Sequence, residues 1–179
     1  MNPKKSIGLR LLFLSLLTVI VLSSCGGDDM HPEEALAAFS KKIEQGNLDN
    51  VTLTIWYQNP FWTTMHPYRI EHLTAGGGGV HKIIIDGSEL KYHINLLRQI
   101  NVDILMPVTC KSQMDIWLYY EFTDERGRKI FGVALQSGSD SVFINDVELE
   151  WNDIFLDAIR SFLPEYMIRI LDASSVSED

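Results

Sequence analysis

The chain has 179 residues, 24 of them acidic and 15 basic, for a net charge of −9 with the histidines neutral. A surface of that sign carries neither the bases that neutralise phosphate nor a polybasic patch for anionic lipid, which argues against nucleic acid as a partner. The length suits one domain with a real core and falls short of two.

The first segment is set apart by composition. Lys4, Lys5 and Arg10 lead into Leu11–Leu22, an apolar run interrupted only by Ser15 and Thr18. As a helix that run covers about 18 Å at ~1.5 Å per residue, short of a ~30 Å hydrocarbon core. A basic start, an apolar middle and small residues behind it form the pattern of a secretory signal peptide. The residues Leu22-Ser23-Ser24-Cys25 resemble the lipobox of bacterial lipoproteins, a leucine and two small residues before a cysteine. The resemblance implies a signal peptide over 1–24, cleavage before Cys25, and acyl chains of the palmitate type on its thiol and new amine. It also implies an extracytoplasmic protein held to a membrane by that lipid, with Gly26 favouring the outer membrane in a two-membrane bacterium. Residues 25–32, Cys25-Gly26-Gly27-Asp28-Asp29-Met30-His31-Pro32, are small and polar and read as a flexible tether. Removing 1–24 takes away three bases and no acid, so the mature chain is left near −12.

Behind the tether, residues 33–171 read as one α+β domain. Leu36, Phe39 and Ile43 recur at helical spacing over 33–46, with Gly46 as the stop. Val51–Gln58 switches to period two, with Val51, Leu53, Ile55 and Tyr57 on one face and Trp56 on the other. Asn59-Pro60 breaks this strand, and a loop is expected through Leu73. After the glycine run 76–79, Val80–Ile85 reads as a strand. Asp86 caps a helix that carries Leu90, Ile94 and Leu97 to about Ile100. Strands are expected at Val102–Thr109, Gln113–Thr123 and Arg128–Gln136, the last two joined by the turn Asp124-Glu125-Arg126-Gly127. Asn145-Asp146 joins two further short strands as a tight hairpin. Asn152 caps a last apolar helix ended by Pro164, and Glu165–Leu171 adds a short strand or helical turn. The tail 172–179 is expected to be disordered. Consecutive strands with short turns predict a mainly antiparallel sheet with about three helices packed on one face.

No motif points to catalysis. The glycine run is followed by a strand rather than by Lys and Ser/Thr opening a helix, so it is no phosphate loop. His31, His66, His72, His81 and His93 lack the close pairing of zinc ligands, and no cofactor or metal is expected. With Cys25 acylated, Cys110 has no disulfide partner and reads as small buried filler. The exception to this background is an aromatic excess: Trp56, Tyr57, Phe61, Trp62 and Tyr68 fall within thirteen residues. Aromatic side chains supply large contact area at interfaces. Core packing would use the same residues. These features predict a non-catalytic binding or interaction protein acting on an envelope protein or polymer through residues 56–68. A small-ligand receptor with a pocket walled by Tyr57, Trp62 and Tyr68 is the second reading. A hydrolase acting on envelope material is the third.

Overall fold

The period-two stretches become strands and most of the three-to-four stretches become helices. The computed structural model describes residues 30–61, 66–109, 112–136 and 141–175; Cys25, Trp62 and Cys110 lie outside them. Helix α1 spans Pro32–Glu44, with Pro32 in the first turn, where its missing N–H costs nothing, and Glu33 and Glu34 at the positive end of the dipole. Gly46, at φ +66°, takes the left-handed turn that ends it.

Six strands form one antiparallel sheet in the order β2-β1-β3-β4-β5-β6. They are β1 (Thr52–Tyr57), β2 (His81–Ile85), β3 (Ile116–Thr123), β4 (Lys129–Gln136), β5 (Ser141–Ile144) and β6 (Val147–Glu150). The β5–β6 turn has Asn145 at φ 46° and Asp146 at φ 66°, the two left-handed residues that a tight hairpin needs and that Asn and Asp tolerate. The domain is α+β and single, as the alternation of the sequence predicts.

The principal core lies on one face of the sheet. Leu53, Ile55, Tyr57, Leu118, Tyr120, Phe122, Phe131, Val133 and Ile144 meet Leu36, Phe39 and Ile43 of α1 there. Phe39, Phe122 and Phe131 pack as an aromatic triad with ring centroids 4.5 to 4.9 Å apart. Helices α5 (Ile154–Arg160) and α6 (Glu165–Ser175) close the same core through Phe155, Ile159 and Met167. The N-cap of α5 is Asp153, one residue after the cap expected from the sequence, and Asn152 accepts the Ile154 N–H at 3.1 Å from just before it. The β3 pairing register steps between Ile116 and Leu118, so Trp117 is the extra residue of a bulge and joins the principal core.

Four expectations are revised. The helix after Asp86 is segmented into α3 (Gly87–Leu90), a 3-10 turn at Lys91–His93 and α4 (Ile94–Leu97), although Leu90 and Leu97 are buried as its spacing predicts. Val102–Thr109 forms no strand: Asn101 caps a 3-10 turn at Val102–Ile104, and only Pro107 bridges to Leu149. Proline has no N–H for a ladder, which leaves that segment as a clip along β6. The loop after Pro60 contains a short helix, α2 (Ile70–Thr74). That helix covers the second face of the sheet, where Leu73 packs with Trp56, Ile116, Tyr119, Ala134 and Phe143, so the sheet is covered on both faces. At the C-terminal end α6 continues to Ser175.

Candidate functional site

The second face is where Trp56 and Tyr68 of the aromatic segment meet the polar residues. Trp56 and Tyr57 are consecutive on β1 and both buried, but they leave it on opposite faces, Tyr57 in the principal core and Trp56 in the second cluster. Trp56 stacks on Tyr119 at 5.6 Å between centroids, and the Lys82 ammonium lies 5.0 Å over its ring. The Tyr119 ring in turn lies across Gly132 of β4. A Cβ there would fall 2.4 Å from the Tyr119 hydroxyl, so any other residue would push the ring aside. Tyr119 donates to Glu121 at 2.9 Å.

The other residues of the aromatic group part ways. Tyr57 accepts a hydrogen bond from Tyr166 and stacks on His81, and burial pushes its hydroxyl well above the ordinary tyrosine range. Phe61 is 62% exposed just beyond the end of β1. Tyr68 is half-buried, with its N–H held by Asp115 at 2.9 Å. Tyr57 and Tyr68 therefore do not wall one pocket.

A groove of about 580 Å³ opens beside Tyr68 instead. One bank is the strap His66–His72, and the other is Gln113, Met114 and Asp146 of the β5–β6 turn. Ile70, Met114 and Pro67 give it apolar surface; Arg69, Glu71 and Asp146 give it charge of both signs. Among the described residues none of these three charged groups is in an ion pair, whereas Arg128, Arg160 and Arg169 each hold a carboxylate. The strap is braced locally. His72 Nδ1 accepts the Arg69 N–H at 3.1 Å while the His72 N–H donates back to the Arg69 carbonyl at 3.0 Å. A smaller cavity of about 90 Å³ continues from the shared residues Ile70, Glu71 and Asp146 towards Lys129, Gly132 and Phe143.

A buried polar cluster lies at the β4–β6 end of the same face. Glu148, 9% exposed, accepts the Ser112 N–H through both carboxylate oxygens at 3.0 Å, the Ser112 hydroxyl at 2.5 Å and the Ser141 hydroxyl at 2.8 Å. Gln136 donates to both serine hydroxyls at 2.7 Å. Each donor finds an acceptor, so the cluster clasps the segment entering β3 to the β4–β6 strands. Sequence reasoning missed the clasp because its four residues come from four separate segments. The groove was equally hidden, although Asn145-Asp146, which supplies one bank, is legible as a hairpin. Among the described residues no three His, Cys, Asp or Glu side chains converge on a metal position, and no helix is long and apolar enough to cross a membrane.

No family model, no curated protein and no solved structure matches this chain.

Proposed function

We propose that this is a lipid-anchored, extracytoplasmic, non-catalytic binding protein that takes its ligand in the groove beside α2. The supporting observation is the groove itself: an open concavity of about 580 Å³ in which Arg69, Glu71 and Asp146, in no ion pair among the described residues, stand around apolar surface. Ligand sites combine apolar walls with a few placed polar groups in this volume range. Arg69 suits a carboxylate, which its planar fork binds through two hydrogen bonds. Glu71 and Asp146 suit an amine. A peptide segment of an envelope protein or polymer carries both groups.

The anchor rests on the lipobox-like residues ending at Cys25. Palmitate incorporation in growing cells tests it: label recovered with the wild-type chain and lost with Cys25→Ser is expected, and label on neither chain overturns the anchor. Isothermal titration of the purified domain with short peptides bearing free carboxylate and amine ends tests the groove. Binding weakened about tenfold by Arg69→Gln, the loss of one charge-assisted pair worth about 1.4 kcal/mol, is expected. Equal binding by wild type and by the Arg69→Gln, Asp146→Asn double variant refutes the groove as the site.

A further inference from the structure

The domain is fastened to its own tether at one pole. The Asn145 side chain of the β5–β6 turn donates from Nδ2 to the Met30 carbonyl at 2.8 Å, and its Oδ1 accepts the Gly132 N–H at 3.0 Å. Asn145 is buried, and its own N–H donates to the Gly132 carbonyl at 3.0 Å. The tether is thus joined at Met30, through one side chain, to the turn and to β4. Two residues later Pro32 is buried and α1 begins, so the chain has no slack beyond Met30.

Cys25 lies five residues before Met30. Fully extended, five residues reach at most about 17 Å. The lipid therefore stays within ~17 Å of the β5–β6 turn. The sheet extends away from that turn. Gly132 pairs with Glu121, Glu121 with Thr54, and Thr54 with Ile84, so Ile84 lies in the same row, four strand spacings from β5. At ~4.8 Å per spacing the separation is about 19 Å, longer than the reach from Met30 back to Cys25.

We propose that the β5–β6 turn is the membrane-facing pole of the domain, with the groove opening beside the lipid surface and the β2 edge facing away from it. The proposal rests on the lipid anchor at Cys25 and deepens the binding reading. Asp146, which forms one bank of the groove, neighbours the fastened Asn145, so the ligand is drawn from the layer next to the membrane. The 62% exposed Ile84 stands on the far edge.

The test uses a chain running from Cys25 to the C-terminus, with Cys110→Ser so that Cys25 is the sole thiol, coupled there to a synthetic diacyl lipid. An azide-bearing side chain at position 146 or position 84, both exposed, carries a dye, and intact folding is checked by thermal melting. The lipidated chains are placed on phosphatidylcholine vesicles containing nitroxide-headgroup lipid, and quenching is compared. Quenching at position 146 about twofold or more above that at position 84 is expected from the ~19 Å separation. Asn145→Ala, which frees Met30, narrows the difference. Equal quenching, or stronger quenching at position 84, overturns the proposal. Because the lipid is attached chemically, this result stands apart from palmitate labelling, which alone decides whether cells acylate Cys25.

Discussion

The clasp around Glu148 gives a prediction whose size follows from its geometry. Glu148→Gln keeps the volume of the side chain and one of its oxygens. The two serine hydroxyls both point at Oε1, and either can rotate, so an amide oxygen in that position keeps them satisfied. The Ser112 N–H cannot rotate, and it sits 3.0 Å from both carboxylate oxygens. Whichever way the amide turns, its NH₂ group meets a backbone donor at 3.0 Å. The substitution also relieves the cost of burying a charge, but every remaining hydrogen bond falls from charge-assisted to neutral strength. A donor left facing a donor in a buried site costs about 1–3 kcal/mol, and we expect a net loss of about 2 kcal/mol. For a domain of this size that lowers the melting temperature by roughly 4–8 °C. Ser112→Ala, which removes one hydroxyl and keeps the N–H, costs about half as much. Differential scanning calorimetry of the three proteins at neutral pH reads both values. A Glu148→Gln protein melting within about 1 °C of wild type, or above it, would refute the claim that the carboxylate holds this segment.

Three further outcomes follow from single contacts. Gly87→Ala puts a Cβ 1.7 Å from the Leu48 carbonyl oxygen, so despite a helix-propensity gain of about 1 kcal/mol it destabilises by about 2 kcal/mol net. Urea titration should show a lower midpoint with unchanged slope, and a raised midpoint would contradict the close approach. Tyr120→Phe removes a fully buried hydroxyl that donates to the Phe155 carbonyl at 2.8 Å, for a loss of about 1 kcal/mol and a melting point lower by roughly 2–4 °C. In the β3–β4 turn, the Arg128 side chain foremost, with the Arg128 and Arg126 amides, holds the Asp124 carboxyl down at about 2. A lowered carboxylate contributes to the fold above its unfolded value near 4 and loses that contribution as pH falls through about 2, so the Arg126 and Arg128 amide resonances should titrate near the lower value. A midpoint near 4 would show the turn contacts absent in solution.

Local chemistry was legible in the sequence wherever it acts alone. The alternation at Val51–Gln58 became β1 within a residue at each end, Asn145-Asp146 became a left-handed turn, and Asp86 and Asn152 each accept the N–H groups of the helices they were read to cap. Legibility failed where a distant partner decides the outcome. Val102–Thr109 is apolar enough for a strand, but Asn101 diverts its start into a turn and Pro107 limits its pairing to one bridge on β6. The stretch 66–80 shows no strong period of its own, since a five-residue helix buries little more than Leu73, and that burial exists only because Trp56, Tyr119 and Phe143 form a surface beneath it. The aromatic excess illustrates the same limit. Five aromatics close in sequence suggested one surface, yet the two-residue period of β1 sends Trp56 and Tyr57 to opposite faces, and the pleat rather than the composition decides what each touches. A groove on such a sheet is built by the segments that cross it. Its residues are therefore scattered in sequence, and Arg69, Met114 and Asp146 come together only once three separate segments have been placed.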